Sequence, residues 1–192
     1  MSFHQKINTS LTCTVVVLGL YICLYPFAPQ VDWWWRHRQP SHATMPSPQP
    51  ASAESTLPIP DNNLLVIPRL DMREAIHSGT SLAELNKGAW LIPNSARPSE
   101  IGNTVIVGHR FGYSGVGVFY FLDKVQLDDT ITVNWERAEY TYRVAAIKTV
   151  PPTDISVEAP TAKPQLTLYT CTPLWNAKNR LVVTASLEGV RR

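Results

Sequence analysis

An uninterrupted apolar stretch near the amino terminus limits what this chain can become. From Ile7 to Ala28 no residue is charged, and "VVVLGLYICLY" forms the centre of the run. At about 1.5 Å per residue, a helix over this stretch is roughly 33 Å long, enough to cross the ~30 Å hydrocarbon core of a bilayer. We therefore expect an uncleaved membrane anchor. A cleaved signal peptide is the competing reading, but no small-x-small site follows the apolar core cleanly, and Pro26 and Pro29 crowd its end. Neither Cys13 nor Cys23 follows the small residue that a lipoprotein signal requires. Trp33 to Trp35 read as an interfacial aromatic belt, where indole rings meet headgroups and their N–H groups find partners. Lys6 precedes the span while Arg36 and Arg38 follow it, so the charge bias leans slightly against an external C-terminal part and does not settle the orientation.

Composition then changes twice. Sixteen prolines against nine glycines is unusual, and Pro40, Pro46, Pro48, Pro50, Pro58 and Pro60 cluster among Ser, Ala, Gln and Thr. Such a segment cannot bury a core, so residues 36–63 read as a semi-extended spacer behind an anchor over 1–35. From Leu64 to Arg192 the chain becomes globular and long enough to bury a core. Short β-rich runs recur there: "LLVIP", "NTVIVG", "TITVNW", "YTYRVAAIKTV", "LTLYT" and "LVVTASL", separated by Gly, Pro, Asn and Asp. This pattern predicts an all-β barrel or sandwich. Helical signals are limited to "TSLAELNKG" (80–88), with its Ser or Thr cap and closing glycine, and to "VFYFLDKV" (118–125). The net charge of +2 comes with no basic patch interleaved with aromatics, which argues against nucleic-acid binding.

Two of the three cysteines fall in the apolar span, so Cys171 is alone in the globular part. An unpaired cysteine in a domain outside the cell is a candidate reactive thiol; a buried structural cysteine is the plain alternative. A thiol nucleophile needs a base or a cation beside it. Of the five histidines, His4 precedes the span, His37 and His42 lie in the spacer, and His77 sits in a polar stretch without special context. His109 ends "NTVIVGHR" and precedes the glycine-rich "FGYSGVG", a strand-end position of the kind that displays catalytic groups. Acyl transfer also needs oxyanion stabilisation, which a guanidinium supplies with permanently charged donors. If the runs either side of "TPLWNAKN" are neighbouring strands, Arg180 sits beside Cys171; a surface arginine in a salt bridge fits the same spacing.

"TLYTC" followed by "NRLVV" resembles the T-L-x-T-C…R signature of sortases, cysteine transpeptidases of Gram-positive-type cell surfaces, and "VIVGHR" resembles the segment that carries their histidine. "LVIPRLDMREAIHSGTS" is similar to the family's opening strand and turn, and "GNTVIVGHR…FYFLDKVQLDDTITV" to its central order of elements, so the resemblance spans nearly all of 64–192. The short Cys-to-Arg spacing is closer to classes C to E. Two features depart from the family. Asn94 stands where relatives commonly show a glycine, and Asp32-Trp33, which resembles a lid motif, lies against the membrane rather than over a site. With no comparable motif between Leu57 and Asn63, no plugging lid is expected.

The resemblance implies a sortase-like closed β-barrel with one or two short helices behind a transmembrane helix and linker. It implies Cys171 as nucleophile on an LPxTG-like sorting signal, His109 as general acid then base, and Arg180 as oxyanion holder. Tyr169, Thr170, Thr172 and Trp175 are expected to line the bound peptide, the Pro-rich 150–165 segment to wall the groove, and Phe111 and Tyr113 to help shield the thioester. Implied partners are sorting-signal-bearing surface proteins or pilins, with a peptidoglycan precursor or a pilin lysine as acceptor amine. No metal or organic cofactor is expected. The implied location is the cell membrane, single-pass, with an extracellular catalytic domain. Two alternatives stand. A plain cysteine protease would hydrolyse the thioester, although papain-like enzymes place Cys before His and open a helix with it. A catalytically inactive β-barrel binding module would lack transfer altogether.

Overall fold

A computed structural model of the chain describes residues 3–38, 62–112, 115–174 and 176–192. They fall into two compact units, one within 1–56 and one within 57–192. In the first, α1 (Phe3–Leu24) passes through a 3-10 turn at Tyr25–Phe27 into α2 (Ala28–Arg38). Pro26 sits in the first turn of that 3-10 segment, where its missing N–H costs nothing. Within Leu11–Arg36 an 18-residue stretch reaches a mean hydropathy of 2.0, long and apolar enough to be a candidate membrane anchor, and its large side chains, from Leu11 to Val31, are exposed on all sides. Lipid accepts a helix that is apolar all round. Asp32 pairs with Arg36 at 2.7 Å one turn away. The helix runs on to Arg38, past the expected start of the spacer at 36, and residues 39–61 of that spacer lie outside the described ones.

The second unit is a closed barrel. Its strands are β1 (Leu64–Ile67), β2 (Met72–Ser78), β3 (Ala89–Leu91), β4 (Asn103–Val107), β7 (Thr130–Trp135), β8 (Ala138–Val150), β9 (Gln165–Thr172) and β10 (Asn179–Arg191), closing in the order β1-β2-β3-β4-β9-β10-β8-β7. β5 (Phe111–Gly112) and β6 (Gly115–Val116) form a separate small ribbon. The all-β barrel expectation holds. β2 was not visible in the sequence because Glu74 stands between its two inward apolar residues, Met72 and Ile76; pairing with β1 and β3 makes it a strand. Both helical signals are present as 3-10 turns. Ser81 accepts a hydrogen bond from the Ala83 N–H and Leu82–Lys87 follows, closed by Gly88; Leu122–Lys124 is the second. Asn94 takes φ 65°, the left-handed conformation that asparagine tolerates best after glycine, so the turn keeps a glycine-like geometry.

Alternation along the strands divides the apolar side chains between two sides of the wall. Leu65, Ile67, Ile106, Phe119, Tyr142 and Leu168 fill the interior with little or no exposure. Outside it, Trp90, Val105 and Val107 form one small cluster and Val150, Val157 and Val182 another, and Tyr169 packs against both.

Candidate active site

β9 shows how one strand serves two purposes. Leu166, Leu168 and Thr170 are buried; of the alternate residues Thr167 is buried as well, while Tyr169 and Cys171 are half-buried. Thr170 donates its hydroxyl to the Gly108 carbonyl at 2.7 Å, so no side-chain atom of Thr170 is offered at the surface. Cys171 stands directly opposite Arg180 in the antiparallel β9–β10 ladder. Directly opposed residues have Cα atoms roughly 4.5–5.5 Å apart and present their side chains to the same face. Arg180 Nη1 donates to the carbonyls of Asn179 at 3.2 Å and Ala177 at 3.4 Å, which ties the guanidinium to the turn joining the two strands.

His109 arrives from β4. That strand runs parallel to β9 with Val107 beside Tyr169, and the Gly108 N–H donates to the Tyr169 carbonyl at 3.3 Å. Two further steps along each chain bring His109 and Cys171 to the same end of the barrel. The backbone around His109 is fixed by close approach. A Cβ on Gly108 would meet Val118 at 2.5 Å, and one on Gly117 would meet the His109 carbonyl oxygen at 2.2 Å, so neither position admits a side chain. The Phe119 N–H donates to that same carbonyl at 3.0 Å. The ring Nε2 lies 3.2 Å from Asn86 Oδ1, an amide oxygen that can only accept, so Nε2 donates here when it carries the ring proton.

Arg110 was not singled out from sequence. Its guanidinium is buried and donates to Thr172 Oγ1 at 2.9 Å and to the Tyr120 carbonyl at 3.3 Å, with Asp123 Oδ1 at 3.1 Å. It thereby ties the residue after His109 to the residue after Cys171. A buried cation needs such partners, since an isolated charge out of water is costly. Its adjacency to His109 in "GHR" was the available signal, but the sequence does not reveal partners from distant segments.

The segment 151–164 lies along the outer face of β9 and β10. Val157 packs on Val150 and Val182, and Asn103 Nδ2 donates to the carbonyls of Val157 at 2.9 Å and Ala159 at 3.2 Å. Tyr169 donates its hydroxyl to Glu158 Oε1 at 2.6 Å. Burial, and then the hydrogen bond to Glu158, push the Tyr169 phenol well above its ordinary range, with the Arg180 charge acting in the opposite sense. A cleft of about 1070 Å³ is lined by His109 and by residues of β2, β5 and β6 but not by Cys171, Arg180 or the 151–164 segment. Trp175 and Tyr113 lie outside the described residues. Among the described residues no group of three His, Cys, Asp or Glu side chains is placed to hold a metal ion.

Strand register carries a thiol, a guanidinium and an imidazole to one end of the barrel, residue types whose chemistry suits acyl transfer through a thioester. The Sortase domain family model matches residues 65–188. The chain is 29% identical to Sortase D of Bacillus subtilis over 126 residues, covering 64% of this chain and 61% of that protein. It is 28% identical to Sortase A of Listeria monocytogenes over 128 residues, 67% of this chain and 57% of that one, so it spans less than two thirds of either relative. A solved structure of a Clostridium perfringens Sortase D5 transpeptidase superimposes with a TM-score of 0.60 at 28% identity, covering 67% of this chain and 79% of that one.

Proposed function

The chain belongs to the sortase family, and from that premise we propose that it is a membrane-anchored cysteine transpeptidase that cleaves an LPxTG-like sorting signal and transfers the acyl part to an amine. The observation that carries this reading is the pairing of Cys171 with Arg180 across β9 and β10, with His109 delivered to the same end by β4. Cys171 Sγ, as thiolate, attacks the scissile carbonyl carbon, and the Arg180 guanidinium with a nearby backbone N–H stabilises the oxyanion. As the C–N bond breaks, His109 as imidazolium protonates the departing amine. The acceptor nitrogen then attacks the thioester, its proton passes to the neutral imidazole, and the C–S bond breaks to restore thiolate and imidazolium. Tyr169, Thr172 and Trp175 line the peptide, and Thr170 acts through the strand by holding Gly108. Residues 1–35 anchor the protein, 36–63 space it from the bilayer, and 64–192 work outside the cell on sorting-signal-bearing surface proteins or pilins.

Mass spectrometry of the full-length chain in detergent micelles with a panel of sorting peptides tests the chemistry. A peptide-sized adduct on Cys171, absent in Cys171→Ala and converted to an amide by an added amine, is the expected result. Adducts that only hydrolyse, whichever amine is supplied, would leave the cysteine protease standing. Proteinase added to intact protoplasts tests the topology: the domain beyond about residue 40 should be shaved off. Loss only after lysis would reverse the orientation.

A further inference from the structure

Transfer requires two substrates to reach one thiol, and the Cys171–Arg180 face accounts for one approach. The cleft of about 1070 Å³ meets the site at His109. Asn86, Glu74, Phe111, Val116 and Val118 continue its wall. A second cavity of about 290 Å³ shares Glu74, Val116 and Val118 with it, so the trough extends along β2 beyond the carboxylate. Two other ionisable groups besides His109 line the larger cleft, Glu74 and Lys87. Lys87 Nζ donates to both carboxylate oxygens of Glu84 at 2.9 Å, which neutralises it locally. Glu74 is half-buried and has no ion-pair partner among the described residues. The larger cleft therefore presents one carboxylate without an ion pair among the described residues, beside Phe111, Val116, Val118 and Leu85, side chains that accept methylene groups, while the oppositely charged Asp71 and Arg73 line the smaller cavity.

We propose that this cleft is the acceptor site, binding a primary amine carried on an aliphatic stem, with Glu74 drawing in the cationic acceptor and His109 receiving its proton. The proposal rests on the thioester reading above. In the step it serves, the bound ammonium first releases one proton to water; the neutral amine then forms a C–N bond with the thioester carbon, a second proton goes to the His109 imidazole, and sulfur leaves as the Cys171 thiolate. Glu74 touches none of the reacting atoms; it raises the occupancy of the acceptor, as a charge at the rim of a binding site does. The apolar wall favours a methylene stem, carried by a lysine side chain or by the diamino acid of a peptidoglycan stem, over the bare amino terminus of a glycine chain.

The test partitions acyl-enzyme between amide and acid in full-length protein, with Nα-acetyl-lysine amide, a stem tripeptide ending in diaminopimelate, triglycine and hydroxylamine as acceptors. The ratio of amide to acid divides out how fast the acyl-enzyme forms. Glu74→Gln is expected to raise the aliphatic acceptor's KM by roughly 3–10-fold, the scale of a partly screened ion pair, and Glu74→Lys by more. Hydroxylamine, small and uncharged at neutral pH, should not follow the charge at position 74. Whichever of the lysine and diaminopimelate acceptors transfers better separates the two sources. Preference for triglycine, or partition that ignores both Glu74 variants, would overturn the acceptor site while leaving the thioester chemistry intact. No adduct on Cys171 with any peptide would instead sink the thioester reading, and this one with it.

Discussion

The inner and outer faces of β9 lie on alternate residues of the same strand, yet they answer to different demands. Inward, Leu166 and Leu168 are fully buried among Ile106, Phe119 and Tyr142, and Thr170 joins them by bonding Gly108. Outward, Tyr169 and Cys171 share a face with Arg180 and Val182 of β10, under the 151–164 segment. Because the side-chain period of a strand is two, the barrel can hold its core with one set of residues and display chemistry with the other. The difference teaches that stability and transfer should respond to separate substitutions only one residue apart.

The largest separation is expected at Leu168. Its replacement by Ala removes a fully buried side chain and should lower stability by about 2–5 kcal/mol, with transfer per folded molecule retained. Chemical denaturation followed by active-site titration of Cys171 reads both quantities. Transfer lost in proportion beyond the unfolded fraction would break the two-face picture. The outer-face counterpart is Arg180→Ala, expected to reduce transfer by ~10²-fold or more, about 2.7 kcal/mol of transition-state stabilisation, while the thiol stays reactive toward a methylating reagent. Stability should change little, because the lost bonds go to the exposed Ala177 carbonyl and the half-buried Asn179 carbonyl of the turn. Arg180→Lys should rescue only in part, since an ammonium lacks the planar fork. Near-native transfer in Arg180→Ala would remove this residue from the site.

A smaller effect sharpens the inner face. Burial pushes the Tyr142 phenol up to about 12. Its folded value lies above its unfolded value of ~10, so the folded chain keeps a proton that the unfolded chain releases. Stability from this group is thus fully present below about pH 10 and falls by ~1.4 kcal/mol per pH unit until about pH 12. Alkaline titration of the unfolding free energy should show that decline in the native chain and a shallower one in Tyr142→Phe. An unchanged slope in Tyr142→Phe would assign the alkaline loss elsewhere.

Much of this two-sidedness could be read in advance, and the limits are physical. The β-rich runs "LTLYT" and "LVVTASL" marked β9 and β10, and the sequence put Cys171 beside Arg180 only on the condition that the two are neighbours, which the β9–β10 ladder shows they are. Its position alone left His109 an ordinary strand-end histidine; the resemblance of "VIVGHR" to the sortase segment made it a candidate. β2 escaped because one charged residue interrupts its alternation, and that residue, Glu74, is the one that lines the cleft. Arg110 escaped because its partners come from sites as distant in sequence as Asp123 and Thr172, and only the barrel's closure brings them together. Helical signals were located but not typed: spacing of caps and apolar residues does not distinguish a short 3-10 turn from an α-helix.

The smallest expected effect lies where the outer face meets its covering segment. Tyr169→Phe keeps the ring between the two outer apolar clusters and deletes only the hydroxyl that Glu158 accepts from at 2.6 Å. Glu158 is exposed, so water replaces the lost donor and no buried group is left unpaired. The stability cost should therefore stay near 0.5–1.5 kcal/mol, the net worth of an ordinary hydrogen bond. The consequence for function is directional. Loosening the 151–164 segment from β9 acts on the side where the sorting peptide is proposed to lie, not on the His109 cleft, so the peptide's KM should rise a few-fold while the partition between amide and acid holds. Glu158→Gln, which can still accept that hydrogen bond, should sit between Tyr169→Phe and the native chain. A change in amine partition with no change in peptide KM would mean that the outer face of β9 serves the acceptor, and would exchange the two approaches to Cys171.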